Sequence, residues 1–206
     1  MKDTTIKILN ELFERYPTLE ECRCAISAAL DILLEAYRSG GKVLVCGNGG
    51  SASDAEHIVG ELLKKFKKHR DIPEPVAAKL RPELAARLEG SLPAVSLVSM
   101  SGIMTAFAND VAWETAFAQQ VLGLAKTGDV LIALSTSGNS ENCVAAAEVM
   151  KAVGGKTIAF TGVKESKLSG ICDTTVRVPE TETYKVQELH LPVYHALCAA
   201  VEEELF

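Results

Sequence analysis

One stretch of the sequence, residues 43–63, constrains the fold more than any other. It begins with an apolar, β-branched run, which predicts a buried strand. The run ends in the glycine-rich turn 47–50, where glycine tolerates a positive φ angle. The helix that follows is expected to be capped by Ser51, Ser53 or Asp54. A strand, a glycine turn and a helix N-terminus in succession predict a binding site for an anionic ligand.

The helix after this turn carries His57 and Glu61, which are four residues apart and therefore lie on one helical face. A histidine and a carboxylate in this arrangement can hold a metal ion, or they can form an ordinary surface pair. The turn also has two interpretations. It lacks the lysine of a P-loop and the spacing of a dinucleotide fingerprint, and structural glycine turns are common in α/β folds. The interpretation of the His57–Glu61 pair and that of the turn both depend on which other residues lie near this site in the folded chain.

The composition favours one α/β domain that can bury a full core, because the chain has 206 residues. The net charge of −6 argues against a nucleic-acid partner, and the basic run 64–70 is interpreted as a solvated helix end. No signal peptide and no apolar run of transmembrane length is present, so we expect a cytoplasmic protein without a membrane partner. The six cysteines show no zinc-finger or CxxC spacing, and most are expected to be small core residues.

Segments typical of strands and helices alternate along most of the chain. The predicted strands are residues 42–46, 92–98, 130–134, 157–160 and 174–178. Helical patterns separate them, and this alternation predicts a three-layer α/β/α sandwich around a five-stranded parallel sheet.

Two segments do not belong to this alternation. Helices are predicted over 2–15 and, after a capping box at Thr18–Glu21, up to Ser39. An α/β domain does not require them, so residues 1–40 are expected to form an arm that packs in an oligomer. The proline-rich segment 69–93 is predicted to be a surface excursion with a short helical piece at 82–89.

A second loop, residues 135–142, has the same position as the first, between a predicted strand and the N-terminus of a helix. Four hydroxyl side chains follow the third predicted strand and surround a helix N-terminus: Ser135, Thr136, Ser137 and Ser140. A phosphate group suits many donors and a positive helix end, whereas ordinary N-capping needs a single hydroxyl. Both loops follow the carboxyl ends of strands, where open parallel sheets bind ligands. The second loop therefore predicts a phosphate site.

The last predicted helix, residues 182–205, contributes a third group of polar side chains. Gln187, Leu191 and His195 follow each other at four-residue intervals and share one face. A lone histidine in such a helix is more often a core residue than a ligand. Pro192 lies inside the helix and is expected to loosen one turn.

Taken in order, several motifs of this sequence resemble the sugar isomerase (SIS) family and, more narrowly, its bacterial phosphoheptose isomerases. They are VCGNGGS, the His57–Glu61 pair, Asn109-Asp110, LSTSGNS and VQELHLPVYH. The resemblance covers the chain except for residues 69–93. The serine-rich loop by itself indicates only a phosphosugar-binding SIS domain, and the histidine, glutamate and glutamine positions make the match more specific.

The resemblance implies a flavodoxin-like SIS fold in a homotetramer whose active sites lie at subunit interfaces. The implied reaction interconverts sedoheptulose 7-phosphate and D-glycero-D-manno-heptose 7-phosphate. The phosphate would be held by Ser135, Thr136, Ser137 and Ser140, and the sugar by Asn48, Gly49, Gly50, Ser51, Glu61, Asn109, Asp110 and Gln187. The implied zinc ligands are His57, Glu61, Gln187 and His195, with one Zn²⁺ per subunit, and the implied catalytic residues are Glu61 and His195.

The chemistry of such a reaction explains these residue types. Ketose–aldose interconversion moves a proton between adjacent carbons through an enediol, which a carboxylate such as Glu61 can do. A metal ion polarises the carbonyl oxygen. Because the neutral amide of Gln187 is a weak ligand, we expect modest zinc affinity.

One departure from the family pattern is Tyr184, which stands where the family commonly has an acidic residue. Two alternatives to an isomerase are a non-catalytic SIS protein that binds the replication initiator and a sensor of a phosphosugar. The intact His57, Glu61 and His195 favour the enzyme, because a scaffold has no need to hold them in register.

Overall fold

The structure of the protein, a computed structural model, describes residues 1–206 and centres on a parallel sheet. Its elements are α1 Asp3–Arg15, α2 Arg23–Arg38, β1 Val43–Gly47, α3 Gly50–Leu63, α4 Glu74–Ala77, α5 Pro82–Ala85, β2 Ala94–Ser96, α6 Ser101–Asp110, α7 Ala116–Leu124, β3 Val130–Leu134, α8 Glu141–Ala152, β4 Lys156–Thr161, α9 Lys167–Ile171, β5 Thr174–Arg177 and α10 Thr183–Leu205. Short 3₁₀ helices occupy Pro17–Cys22 and Trp113–Thr115.

The five strands pair in the order β2-β1-β3-β4-β5, and every pairing is parallel. Val43 of β1 lies opposite Ala94 of β2 on one side and Val130 of β3 on the other. All residues of β1 and β3 are buried, as continuous apolar runs in a parallel sheet should be. The five-stranded sheet predicted from the sequence is therefore confirmed. This strand order is the flavodoxin-like one, in which the winding direction reverses between β1 and β3.

Two apolar clusters cover the two faces of the sheet. Val43 and Val45 of β1 point into a cluster built with α1, α2, α3 and α10. Leu44 and Cys46 point into the other cluster, which includes residues of α6, α7 and α8. This alternation follows from the two-residue period of a strand, and it gives the three-layer sandwich expected from the sequence.

Three local predictions were wrong. The Thr18–Glu21 capping box does not form, because Pro17 begins a 3₁₀ helix and α2 begins only at Arg23, without a side-chain cap. No side chain caps α3 either: Gly49, at a φ angle of 57°, leads directly into the helix. In segment 69–93 the helical piece predicted at 82–89 is present only over Pro82–Ala85, as α5, and the helix α4 that precedes it was not predicted.

Segment 69–93 is attached to the domain at its base. The Arg70 side chain is fully buried, and its Nε donates to Oε1 of Glu202 over 2.7 Å. The other guanidinium nitrogens donate to the carbonyls of Leu62 and Glu61, which end helix α3. The backbone N–H of Gly90 donates to the carbonyl of Arg70 over 2.8 Å. These contacts fix the C-terminal end of α3.

Helix α1 packs against the C-terminal half of α10. Leu9, Leu12 and Phe13 are buried in the first apolar cluster. Near the chain ends, Oγ1 of Thr4 donates to Oε1 of Glu203 over 2.9 Å. The first and last helices thus run alongside each other and meet at their free ends.

All six cysteines are free, and four of them are buried, as the sequence predicted for most of them. None of the helices has the length and the apolar character needed to span a membrane.

Candidate active site

The two ligand loops predicted from the sequence lie side by side at the point where the sheet reverses its winding. One follows β1 and the other follows β3, and the side chains of Asn48 and Asn142 join them. Each amide nitrogen donates to the oxygen of the other amide over 2.9 Å. Asn142 is buried, so this double hydrogen bond holds the loops at a fixed separation. The crevice between β1 and β3 is the usual ligand site of this topology.

The second loop presents its hydroxyl groups around the N-terminus of α8. Ser135 is buried, and its Oγ lies 2.9 Å from Oγ of Ser140. Ser140 occupies the N-cap position of α8, yet its side chain makes no cap hydrogen bond. Ser137 is exposed, and its Oγ accepts from the N–H of Asn139 over 3.2 Å. The loop therefore collects hydroxyls at the positive end of a twelve-residue helix, as a phosphate site requires.

Helices α3 and α10 lie side by side and point in the same direction. Near their first turns, a β-carbon on Gly50 would lie only 2.8–2.9 Å from the amide atoms of Gln187, so the Gln187 side chain packs directly against the glycine. Two turns further along, Nε2 of His57 lies 3.4 Å from Nε2 of His195. The parallel helices thus extend from the glycine loop to a cluster of titratable side chains.

This cluster consists of His57, Glu61 and His195. His57 Nε2 lies 3.3 Å from Oε1 of Glu61 and 3.4 Å from Nε2 of His195, and the two imidazole rings meet edge to face. The other oxygen of Glu61 accepts from Nζ of Lys64 over 3.1 Å. Burial, followed by the proximity of His57, lowers the pKa of His195 from its usual value of 6.5. His195 is therefore mostly neutral at pH 7.

Asp54 and Tyr194 form a hydrogen-bonded chain that ends at Nδ1 of His57. The hydroxyl of Tyr194 lies 3.0 Å from Nδ1 of His57 and 3.1 Å from Oδ1 of Asp54. Tyr194 is buried, and burial raises its pKa above the usual value, so it remains a phenol at neutral pH. Burial also raises the pKa of Asp54, against a lowering by the Tyr194 hydrogen bond. Each atom of the His57 ring that can form a hydrogen bond thus has a defined neighbour.

Comparison with known proteins identifies the family of this chain. The SIS domain family matches residues 9–162. The phosphoheptose isomerase of Nitratiruptor sp. is 40% identical over 200 residues, which are 95% of this chain and 97% of that protein. The phosphoheptose isomerase of Aquifex aeolicus is 42% identical over 172 residues, covering 84% of this chain and 80% of the relative.

The chain belongs to the SIS-domain phosphoheptose isomerase family. A solved phosphoheptose isomerase from Francisella tularensis has a similar structure, with a TM-score of 0.76, 30% identity, and coverage of 98% of this chain and 100% of the other. The enzyme from Neisseria gonorrhoeae gives a TM-score of 0.74 at 30% identity, over 97% of this chain and 94% of that one. The membership predicted from the motifs is confirmed.

In this member of the phosphoheptose isomerase family, the zinc ligands that the resemblance implies lie at two separate positions. His57, Glu61 and His195 are together, whereas Gln187 lies against Gly50, eight residues before His195 on α10. No three His, Cys, Asp or Glu side chains are arranged as a complete metal site. Two distances within the cluster nevertheless match those between zinc ligands. A tetrahedral ion with bonds of about 2.0–2.1 Å has ligand atoms about 3.3–3.4 Å apart, which is the separation found around His57 Nε2.

Two residues that were expected to bind the sugar, Asn109 and Asp110, lie away from the two ligand loops of their own chain. Asn109 and Asp110 are exposed at the C-terminal end of α6, and Nδ2 of Asn109 donates to Oδ1 of Asp110 over 2.8 Å. Helix α6 begins after β2 at the ligand edge, and its ten residues carry the pair about 15 Å away along the helix axis. They make no contact with the two loops of their own chain.

The sequence analysis missed three residues that shape the site. Asn142 lies in the loop 135–142 but was not predicted to have a role. A buried asparagine in the first turn of a helix needs a polar partner, and this could have indicated its contact with the other loop. Asp54 was considered only as a helix cap, and Tyr194 only as part of a motif. Their contact joins α3 to α10, and no spacing within either helix reveals it.

Proposed function

We propose that this protein interconverts sedoheptulose 7-phosphate and D-glycero-D-manno-heptose 7-phosphate by proton transfer through an enediol. The observation that carries the proposal is the cluster of His57, Glu61 and His195. Two residues from α3 and one from α10 form the cluster, in which His57 Nε2 lies 3.3 Å from the Glu61 carboxylate and 3.4 Å from Nε2 of His195. A structural scaffold would have no reason to collect three titratable groups in one place.

The phosphate end of the substrate is assigned to the loop after β3. Ser135, Thr136, Ser137 and Ser140 supply hydroxyl donors, and the N-terminus of α8 supplies a favourable dipole. Gly49, Gly50 and Ser51 follow β1 on the other side of the crevice and are assigned to the sugar. Binding the non-reacting phosphate in this way orients the carbons at the other end of the substrate.

The proton transfer is assigned to Glu61. Its carboxylate would take a proton from the carbon beside the carbonyl and return it to the neighbouring carbon, so that no proton is gained or lost overall. Oε2 suits this task because its partner Lys64 is largely exposed and the pair costs little to break. The neutral ring of His195 can donate one proton to a substrate oxygen and accept another.

A zinc ion is proposed at the same cluster. His57, Glu61 and His195 would hold it, since Nε2 of His57 lies at zinc-ligand distances from Oε1 of Glu61 and Nε2 of His195, with Gln187 as the further ligand that the family implies. When bound, the ion would polarise the substrate carbonyl. Because Gln187 lies against Gly50 and has a neutral amide oxygen, we expect modest metal affinity.

A homotetramer with active sites at subunit interfaces is proposed as the working assembly. Several large apolar side chains are exposed on and around α6 and α7: Ile103, Val111, Trp113 and Leu122. Asn109 and Asp110 lie among them, away from their own chain's loops, so in an oligomer they could reach the sugar of another subunit. The arm formed by residues 1–40 would also take part. The six free cysteines support a reducing compartment such as the cytoplasm.

The test is an isomerisation assay on purified protein with sedoheptulose 7-phosphate, with and without a chelator. Glu61→Gln should lower kcat by about 10²–10⁴-fold while the variant still binds the substrate. Glu56→Gln is a matched control, because Glu56 is exposed on the same helix and contacts only Ser99. Full activity of Glu61→Gln would refute the role of Glu61. Tight phosphosugar binding without turnover in the unaltered protein would refute the isomerase and favour a sensor.

A further inference from the structure

A hydrogen-bonded chain of Asp54, Tyr194 and His57 connects the interior of the helix pair to the candidate metal cluster. The Tyr194 hydroxyl is 3.1 Å from Oδ1 of Asp54 and 3.0 Å from Nδ1 of His57. Both distances are those of true hydrogen bonds. The tyrosine side chain is buried, so its hydroxyl has no solvent partner to replace either neighbour.

Counting protons along this chain determines the tautomer of His57. A phenol has one proton to donate, and an ionised carboxylate can only accept. With Asp54 ionised, the proton of Tyr194 goes to Asp54, and the phenol oxygen accepts a proton from His57. That proton is carried by Nδ1, so in the neutral ring the lone pair remains on Nε2.

The direction of this lone pair matters for the cluster. Nε2 of His57 faces Oε1 of Glu61 over 3.3 Å and Nε2 of His195 over 3.4 Å. With Nδ1 protonated, a lone pair on His57 faces a carboxylate oxygen, an arrangement that is favourable only when a cation or a proton lies between them. In proteins, histidines that bind metals commonly donate their other ring N–H to a neighbouring acceptor, which fixes the ring for coordination.

We propose that Asp54 and Tyr194 are positioning residues that hold His57 in its Nδ1–H tautomer and so direct the Nε2 lone pair at the metal cluster. The proposal rests on the proposed function for the identity of the ion, but the tautomer itself is a property of the metal-free protein. Tyr194 and Asp54 need not touch the substrate.

The tautomer can be observed directly by long-range ¹H–¹⁵N NMR on metal-free protein with labelled histidine. The chain has only four histidines, and single His→Gln substitutions assign their signals. In the unaltered protein His57 should show a protonated Nδ1. In Tyr194→Phe the acceptor is removed with little change in shape, and His57 should move towards the Nε2–H tautomer that predominates in a free histidine side chain. Tyr37→Phe removes a hydroxyl that bonds only the Pro93 carbonyl and should change nothing at His57.

A second measurement is the affinity for Zn²⁺, determined by competition with a chromogenic chelator. Tyr194→Phe and Asp54→Asn should each weaken zinc binding by about 10–100-fold, the range found when such supporting partners are removed. Tyr37→Phe should bind zinc like the unaltered protein.

The proposal would be overturned if Nδ1 of His57 carried no proton in the unaltered protein, or if the protonation of Nδ1 were the same in Tyr194→Phe. Unchanged zinc affinity in both variants would also overturn it. A protein that shows the expected tautomer but no conversion of sedoheptulose 7-phosphate would contradict the proposed function alone.

Discussion

Removing the charge of Glu202 should destabilise the protein strongly. This carboxylate is 1% exposed and accepts four hydrogen bonds: from the backbone N–H groups of Phe66, Lys67 and Lys68 over 2.7–2.8 Å and from Nε of Arg70 over 2.7 Å. It therefore holds the segment that follows α3 and neutralises a fully buried guanidinium. Few positions in the chain combine so many buried polar contacts on one side chain.

The substitution Glu202→Gln keeps the shape of the side chain but leaves Arg70 buried without a counter-charge. Breaking a buried ion pair on one side costs about 3–5 kcal/mol. For a chain of this length each kcal/mol lowers the midpoint of thermal unfolding by about 2–4 °C, so the expected drop is roughly 6–20 °C. Replacing both partners, as in Arg70→Met with Glu202→Leu, should recover part of the loss because no unpaired charge remains.

The assay is thermal unfolding followed by circular dichroism at a fixed protein concentration. Burial opposes ionisation of Glu202, but the backbone N–H groups and Arg70 outweigh it and lower the pKa below its usual value of 4.5. The contribution of Glu202 to stability is thus present above about pH 4.5 and is lost as the pH falls through the folded-state pKa. The difference in unfolding midpoint between the unaltered protein and Glu202→Gln should therefore become smaller in acid. Glu148→Gln, at an exposed position on α8, should leave the midpoint nearly unchanged. A Glu202→Gln midpoint within 2 °C of the unaltered protein, or a gap independent of pH, would refute the reasoning.

Two further predictions concern buried polar groups. Asn142→Ala removes both hydrogen bonds to Asn48, so the two loops should separate more easily. We expect a higher KM for the phosphosugar, a smaller change in kcat and a loss of about 1–3 kcal/mol in stability. An unchanged KM would contradict the coupling of the loops. His190 is fully buried with its Nδ1 unpaired, and burial lowers its pKa from 6.5 to about 4. It must stay neutral in the folded state, so stability is retained above about pH 6.5 and falls by on the order of 3 kcal/mol towards pH 4. His190→Leu should flatten this dependence in urea titrations, whereas the exposed His69→Gln should not; equal acid slopes in the two variants would exclude His190 as the cause.

The sheet and its loops could be predicted from the sequence because the signals are local. Strands such as Val130–Leu134 are unbroken apolar runs, and the loops after them are rich in glycine or hydroxyl residues. These patterns also place both loops at one edge of a parallel sheet. The start of α2 could not be predicted in the same way, because Pro17 suits the first turn of an α-helix and of a 3₁₀ helix equally well.

The remainder of the candidate site depends on contacts between helices that are remote in sequence. The spacing of His57 and Glu61 identifies one face of α3, but it does not show which residue of α10 meets that face. Tyr194 precedes His195 and points about 100° around the helix from it, yet both side chains contact His57 of α3. Such packing is set by the whole apolar cluster and not by any local motif.

The meeting of Thr4 with Glu203 has a practical consequence for handling the protein. Helix α10 starts beside the ligand loops, and its 23 residues carry the chain about 34 Å away from them before it reaches this contact. Fusion partners or surface attachments at either terminus would therefore project from the same corner of the subunit, far from the crevice of their own chain. A short flexible joint between the termini would also allow circularly permuted variants to be opened at a surface turn.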